Sequence, residues 1–513
     1  MVRKLGSLPV LTLILLIAPA LFAQDTPDSR PQGKNRMSAN NHSHSGSSPF
    51  SPPDEEDTLF VVDTGSGLDT GCTYRGGGPL IIKVKVKRVV GAVGGDGYLT
   101  DPAGMVQRGL ISPRAKVIFP AFDIDVNGAP GVPPEVDRIS FNGHPLGSLT
   151  GDNNIWKLNS YEVPIEWVKF PAQNTGGGAP TPAENEIRID IDQASGGVEN
   201  WCMSVDWVQI QFGAIAPILM VHGTNAQSDS WEPDFTAFYG ASRAPWSNDI
   251  NLTANGSILG NGRELSNRVR QLAQGFGAKK VHLICHSKGG LDTRAYLNNH
   301  YDPDTVKVLS VYTLGTPHHG TIVSDIIVAS RTTEDPESSD PDIEYLMDHD
   351  YWFLSTPQPP AINNQMTGAM ARFNATYPSV PSEVKFYNYG GDADLNNSGR
   401  ISAQEALPLL PGAVPDGMAS AAATAMYRAI GRIASISITP GTRGLWGLNH
   451  YTSIEVASTN RPFHENDLVT SVPSAHSPGG TYLGTRNGNH SSIKSQALAG
   501  IILNRIRSDF PIR

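Results

Sequence analysis

An all-β sandwich followed by an α/β domain, with a mostly parallel sheet flanked by helices, is the architecture the sequence predicts. Three observations predict it. From about residue 58 to 214, short strand-like runs are broken by turn residues, with no helical periodicity of useful length. From residue 215 to 513, continuous apolar runs alternate with helical stretches, the signature of an open α/β sheet. At one strand–helix junction the run from Val281 to Gly290, VHLICHSKGG, breaks sharply into a glycine-flanked turn.

The chain has 513 residues, 39% of them hydrophobic, enough for two domains with real cores. A formal charge of −10 argues against nucleic acid or an anionic membrane as the main partner, and reads as solubility. Arg3 and Lys4, an apolar stretch from Leu8 to Phe22 and the small Ala23 read as a secretory signal peptide over residues 1–23. No cysteine sits at that boundary to carry a lipid, and no later stretch is long and apolar enough to span a membrane. The expectation is a secreted or periplasmic protein. Residues 24–57, rich in Ser, Asn, His, Pro and Gly, read as a disordered linker, with His42 and His44 as part of a solvated spacer. Cys72 and Cys202 lie near the two ends of the first domain and are candidates for a disulfide in an oxidising compartment. Cys285 reads as a buried thiol.

Within residues 58–214 the strand candidates are Leu80–Val89, Ala115–Phe119, Ile187–Ile191 with its period of two, and Ser204–Phe212. The stretch from Ile139 to Gly147, Trp156 and the closing run from Trp201 to Phe212 loosely resemble galactose-binding-like jelly-roll modules. A face of Trp156, Trp167, Trp201 and Trp207 for sugar or polymer is one reading of the tryptophans. Packing on pleated sheets is the favoured one. In the second domain, Pro217–Val221 reads as a strand buried on both faces. A helix from Glu264 to Gln274 follows, with Leu265, Val269 and Leu272 on one face and Gly275 as its stop. After the Val281–Gly290 junction come a helix to about Asn298 and a strand from Val306 to Leu314.

The junction has the form of a nucleophile elbow, in which Ser287 is held on a strained strand-to-helix corner with its hydroxyl exposed. Positions two before and two after must be small, and Cys285 and Gly289 are. Acyl transfer also needs backbone N–H donors for an oxyanion. These would come from Lys288, after the serine, and from Thr224 in the His222-Gly223-Thr224 loop after an earlier strand. A serine hydroxyl becomes a competent nucleophile when an imidazole takes its proton and a carboxylate orients that imidazole. Asp467 and His490 follow Ser287 in the order this chemistry uses on such a sheet. Asp392, directly after the strand Val384–Tyr389, is the rival acid; the Asn466-Asp467 context and the spacing to His490 favour Asp467. His318 and His319, in the turn after Leu314, read as structural.

The segments Ile218–Asn225, Leu283–Leu291, Thr313–Thr321, Met366–Pro378, Phe386–Gly391, Asn466–Val469 and Asn489-His490 resemble the secreted bacterial triacylglycerol lipases of the α/β-hydrolase fold. They run in that family's order and cover most of residues 215–513. The resemblance implies Ser287 as nucleophile, Asp467 as acid, His490 as base, oxyanion amides at Thr224 and Lys288, and lid or channel elements between Gly320 and Gln365. Two positions depart from the family: Cys285 replaces a glycine, and Ser491 and Ser492 stand where an aspartate calcium ligand usually follows the histidine. A different calcium site is expected instead. Residues 394–405 match the twelve-residue EF-hand loop, with Asp394, Asn396, Ser398, Arg400 (through its carbonyl), Ser402 and Glu405 as oxygen ligands and Gly399 at the sharp turn. A polar turn before a helix starting near Ala403 is the other reading.

The function expected is lipase-like hydrolysis of lipid esters through an acyl-enzyme, with polysaccharide or polymer surface as a possible partner of the sandwich. Phospholipid or aliphatic polyester would suit the same chemistry, as would a peptidase or acyltransferase pocket. A non-catalytic binding or adhesion protein on this scaffold is the alternative of another class. The Tyr351–Leu354 tract is a candidate acyl-pocket or lid face.

Overall fold

The chain is described by a computed structural model over residues 48–52, 59–63, 68–86, 102–128, 134–170, 183–193, 202–332 (apart from 232, 243 and 277), 336–348, 360–407, 409, 416–440, 452–458 and 463–512. The proposed signal peptide, most of the linker, Trp201 and the Tyr351–Leu354 tract lie outside these residues.

The N-terminal part forms two antiparallel sheets. Leu59–Asp63, Gln209–Ala214, Ile111–Phe122, Cys202–Val205 and Thr73–Tyr74 lie in that order, and Trp156–Pro164 also pairs with Ile111–Phe122. The second sheet orders Leu80–Val86, Ala183–Asp190, Arg138–Phe141 and His144–Ser148. Period-two alternation drives both sheets: Ile82, Val84 and Val86 are buried while Ile81, Lys83 and Lys85 face solvent. The two sheets feed one apolar cluster that includes Val84, Val117, Phe119, Phe141, Ile187 and Ile210.

Two local expectations need correction. Ser204–Phe212 is not a single strand; it breaks at Asp206–Val208 into Cys202–Val205 and Gln209–Ala214. The cause is Trp207, which is buried, with its indole Nε1–H donating to the carbonyl of Phe50 at 2.8 Å. A short helix, Pro102–Gln107, interrupts the β pattern; six residues are too few to show a helical period. Among the tryptophans, Trp207 is core, Trp167 stacks on His144 at 4.2 Å and Trp156 packs on Phe122 at 5.2 Å, so these three form no common aromatic face.

The C-terminal part is built on a six-stranded parallel sheet of β1 (Ile218–Val221), β2 (Trp246–Ile250), β3 (Lys280–His286), β4 (Lys307–Leu314), β5 (Lys385–Asp392) and β6 (Thr481–Asn487), in the order β2-β1-β3-β4-β5-β6. Helices cover both faces: α1 (Asp234–Ser242), α2 (Ile258–Phe276), α3 (Lys288–Asn299), α4 (Asp416–Arg432) and α5 (Gln496–Asp509) are the ones used below. Ile218, Met220 and Ile284 join α1 and α5, whereas Leu219, Val221, Leu283 and Cys285 join α2 and α3. Burial on both faces is why these strands read as continuous apolar runs. Helix α2 starts six residues before the expected Glu264. Its glycines weaken the helical signal, yet Gly262 is needed because a Cβ there would lie 2.8 Å from that of Ala295 in α3.

No linker separates the two parts. Only Ile215, Ala216 and Pro217 lie between Gln209–Ala214 and β1; Ile215 is buried and its N–H donates to the Leu110 carbonyl at 3.0 Å. The apolar cluster of the N-terminal sheets continues through Ile215 to α1 and α5.

Cys72 and Cys202 are bridged, with Cα atoms 5.3 Å apart and a sequence separation of 130. Closing so long a loop constrains the unfolded chain, so replacing both cysteines with serine is expected to cost about 2–5 kcal/mol in reversible denaturation. An unchanged midpoint would show that the bridge does not constrain this domain.

Candidate active site

Ser287 sits at the β3–α3 corner with φ 53° and ψ −133°, a left-handed backbone that costs a non-glycine residue about 1–3 kcal/mol. Its N–H donates to the Leu314 carbonyl at 3.0 Å, and its own carbonyl accepts from Thr316 Oγ1 at 2.8 Å. The corner closes only because its neighbours are small. A Cβ on Gly289 would stand 2.5 Å from the His222 carbonyl oxygen, and one on Gly223 would stand 2.6 Å from Cβ of Ser287. Cys285 fits because its side chain turns into the core, with Sγ 3.1 Å from Thr293 Oγ1. Burial pushes its thiol up to about 12, which leaves it inert near neutral pH.

His490, on the loop between β6 and α5, joins Ser287 to Asp467. Its Nε2 is 2.8 Å from Ser287 Oγ and its Nδ1 is 2.8 Å from Asp467 Oδ2. All three residues are buried. The second oxygen of Asp467 accepts the N–H groups of Val469 (3.0 Å) and Thr470 (2.6 Å), in a turn closed by Leu468 at φ 73°. The His490 N–H returns to the Asp467 carbonyl at 2.7 Å. Behind it, His286 Nε2 lies 2.6 Å from the His490 carbonyl; burial holds this imidazole well below its ordinary pKa, so Nε2–H donates. Asp392 is not part of this chain: its Oδ1 accepts from Tyr427 Oη at 2.9 Å and from the Asp394 N–H.

The loop after β1 is fixed by His222. Its Nε2 accepts the Leu252 N–H at 3.0 Å, so the ring hydrogen is on Nδ1, which donates to the Gly223 carbonyl at 2.9 Å. Burial lowers the His222 pKa, in keeping with this neutral form. The Thr224 hydroxyl accepts from Gln365 Nε2 at 2.8 Å. Lys288 opens α3, where first-turn N–H groups have no intrahelical acceptor. Its side chain is buried, with Nζ 2.7 and 2.9 Å from the two oxygens of Asp292. Asn261 Nδ2 adds a bond to Asp292 Oδ2 at 3.0 Å. Burial, opposed by Lys288, raises Asp292 to about 6.

His318 is buried against Phe386, with Nε2 3.3 Å from Thr313 Oγ1. His319 is bonded by Asn374 Nδ2 at 3.3 Å and borders a cavity of about 320 Å³ shared with Thr321, Ile430, His464 and Val469. Neither imidazole replaces His490 beside Ser287.

In the 394–405 loop, Asp394 accepts the N–H of Ser398 at 3.0 Å and of Gly399 at 2.6 Å, and Gly399 takes φ 70°. Glu405 caps the short helix Ala403–Ala406: Oε2 accepts from the Ser402 N–H and hydroxyl, while Oε1 accepts from the Leu395 N–H and faces Asn396 Nδ2. The Arg400 carbonyl accepts from Ser398 Oγ at 2.8 Å. All six residues offer the hard oxygens a calcium ion takes, but only two are carboxylates.

Sequence reading gave Gly315 only a place in a tight turn and left Gly391 and Asp292 without a role. A Cβ on Gly315 would lie 2.5 Å from Asp467 Oδ2 and 3.1 Å from His490 Nδ1; one on Gly391 would lie 2.7 Å from Cβ of Asp467. A glycine carries no trace of such a contact. Lysine and aspartate four apart on α3 was the available signal for the buried pair.

No family model matches the chain. Among solved structures it is similar to the mature form of the lipase BlEst2 of Bacillus licheniformis, at 22% identity over 57% of this chain and 91% of that one, with a TM-score of 0.39. It is also similar to Staphylococcus hyicus lipase (14% identity, 57% and 95% covered, TM-score 0.33) and to lipase 1 from Pelosinus fermentans (13%, 56% and 98%, TM-score 0.33).

Gly315→Ala is expected to break the His490–Asp467 hydrogen bond, since φ at that position is +56° and the methyl has no space. The check is the far-downfield proton NMR signal of a bonded Nδ1–H, which the wild-type chain shows and the variant lacks. A retained signal would mean that the loop adapts.

Proposed function

We propose that the chain is an exported serine ester hydrolase of lipase type on an α/β-hydrolase domain. The observation that carries this reading is the unbroken hydrogen-bonded line from Ser287 through His490 to Asp467, on a serine held in a strained corner. An ionised Asp467 only accepts, so Nδ1 of His490 carries hydrogen and Nε2 offers its lone pair to the Ser287 hydroxyl. As Ser287 Oγ attacks the ester carbonyl, its proton passes to Nε2. The Thr224 and Lys288 N–H groups receive the developing oxyanion, a contribution on the order of 3 kcal/mol per donor. The alcohol leaves with the proton from Nε2. Water then gives a proton to Nε2 and attacks the acyl-enzyme, and that proton passes to Ser287 Oγ as the acid leaves.

In this reading the substrates are lipid esters, the two N-terminal sheets are a β-sandwich module that meets insoluble substrate, and export follows residues 1–23. The exposed Ile155 and Leu158 beside Trp156 support contact with an apolar or polymeric surface. Calcium in the 394–405 loop is part of the same proposal, held by Asp394, Asn396, Ser398, Glu405, the Arg400 carbonyl and, directly or through water, Ser402. Asn489 supports coupling to the site, because its Nδ2 donates to the carbonyls of Glu405 (2.8 Å) and Leu407 (2.7 Å) beside His490.

A fluorophosphonate probe is expected to label the wild-type chain, and Ser287→Ala to abolish both labelling and turnover of a p-nitrophenyl ester series. Asp467→Asn is expected to lower kcat by about 10⁴ while Asp392→Asn leaves it within about tenfold. Labelling that survives Ser287→Ala would remove the nucleophile assignment. Chelation is expected to lower both Tm and activity, and Asp394→Asn with Glu405→Gln to remove that part of the response arising from the loop. A chelator effect undiminished by those substitutions would remove calcium from the loop.

A further inference from the structure

A group of carboxylates in the N-terminal sheets has no part in ester hydrolysis. Asp123 and Asp125 follow Ile111–Phe122, Glu135 and Asp137 precede Arg138–Phe141, and Asp192 follows Ala183–Asp190. The first of these strands belongs to the six-stranded sheet and the other two to the four-stranded sheet. The group therefore sits where the two sheets meet. All five residues are buried.

One oxygen of each carboxylate is held by the protein. Asp123 Oδ1 accepts the Asn154 N–H at 2.6 Å, and Asp125 Oδ1 accepts the Gly128 N–H at 3.1 Å. Glu135 Oε2 accepts the Asp125 N–H at 2.9 Å, Asp137 Oδ1 accepts the Asp192 N–H at 2.7 Å, and Asp192 Oδ2 pairs with Arg75 at 3.3 Å. Two oxygens remain. Glu135 Oε1 and Asp137 Oδ2 are buried, and among the described residues the two carboxyls have only each other within hydrogen-bond reach on that side. The two carboxyl groups face each other; Asp123 adds negative charge beside Glu135, and Asp192 beside Asp137. The Arg75 guanidinium pairs with Asp192.

Buried anions in this arrangement cost several kcal/mol each unless something neutralises them. Burial, with mutual repulsion, pushes the Glu135 carboxyl above its ordinary range, and burial raises Asp137 too. Either a shared proton or a cation can meet the two inward oxygens. Their outer oxygens are already fixed by main-chain N–H groups, which is how a metal site orients its ligands.

We propose that Glu135 and Asp137 bind a divalent cation of the calcium class through Glu135 Oε1 and Asp137 Oδ2, in the segment before Arg138–Phe141 that meets the six-stranded sheet through the Asp125 N–H on Glu135. No three His, Cys, Asp or Glu side chains form a metal-holding group among the described residues, so main-chain oxygens and water complete the shell. Such a site belongs with the weaker calcium sites, with Kd on the order of 0.1–1 mM. It is independent of what Ser287 does and separate from residues 394–405.

The test uses the full chain carrying Asp394→Asn and Glu405→Gln, so that the loop is silent. Tm is measured at pH 5 and pH 8, in EDTA and in excess CaCl₂. Because both carboxyls bind protons more tightly folded than unfolded, stability without metal falls as pH rises from their ordinary values through the raised ones. Calcium is expected to raise Tm by roughly 3–8 °C at pH 8 and by less at pH 5. Glu135→Gln, alone or with Asp137→Asn, is expected to remove that response while leaving Tm in EDTA at pH 8 no lower than the parent's. The single isosteric change serves if the double variant fails to fold. No calcium response at either pH would leave the shared proton as the neutraliser and overturn the proposal. A response that persists in Glu135→Gln would overturn the assignment of its ligands.

Discussion

The hydrogen bond between His490 Nδ1 and Asp467 Oδ2 is the interaction on which the site depends, because it sets both the tautomer and the position of the ring that faces Ser287. Three segments far apart in sequence must converge for it to form. Each is held from more than one side: Asp467 by the Val469 and Thr470 N–H groups, His490 by the Asp467 carbonyl and by His286, Ser287 by Leu314 and Thr316. Gly315 and Gly391 let β4 and β5 pass within contact of the carboxylate. A change at any of these supports moves the ring as a whole. Substitutions here are expected to be strongly non-additive, since each removes the same geometry.

Much of this was legible in the sequence for a physical reason: chemistry restricts residue type more tightly than packing does. A strained serine corner admits few sequences, and a serine–imidazole–carboxylate line on this type of sheet fixes chain order. Ser287, Asp467 and His490 could therefore be read before the fold, as could the apolar strands buried on both faces. Choosing Asp467 over Asp392 was harder, because both follow a strand and only tertiary structure shows which carboxylate meets His490. Contacts of Gly223, Gly315 and Gly391 were invisible, since an absent side chain leaves no sign of what it avoids. Trp207 broke an apparently continuous strand because its indole found a carbonyl 157 residues away in sequence, at Phe50. The 394–405 pattern was readable as a turn with oxygen ligands. Its capping bonds, in which Glu405 already serves Leu395 and Ser402, were not.

The boundary between the two halves illustrates a limit of compositional reading. Strand pattern changes character near residue 214, as two independent domains would require. Yet the connection is three residues long, Ile215 is buried, and one apolar cluster runs from the N-terminal sheets to α1 and α5. Tyr239 in α1 reaches the Ala499 carbonyl in α5 at 3.1 Å on that same side. Since α5 follows directly on the His490 loop, the N-terminal sheets brace the side of the parallel sheet on which α1 and α5 pack. A hinge at residue 214 would have to open that core, so the halves are expected to move as one.

Buried charge separates the features that the protein neutralises itself from those that need something external. Lys288 and Asp292 form a closed pair with Asn261 on the spare oxygen, so each charge has its partner within the fold. Lys494 lies 5.6 Å from the Trp231 ring centroid and donates to the Ser230 carbonyl; burial lowers it to about 8, so losing its proton is its own way out. Glu135 and Asp137 have neither solution in full. Their inward oxygens face each other, and the Arg75 guanidinium pairs with Asp192. A proton can relieve that at low pH, where the carboxyls are protonated in solution as well. Burial lets that proton persist into the neutral range, at a cost in stability that grows as pH rises toward the raised Glu135 value, whereas a divalent cation answers both charges at once. That difference in pH dependence is what distinguishes a bound cation from a pair of acids sharing one hydrogen.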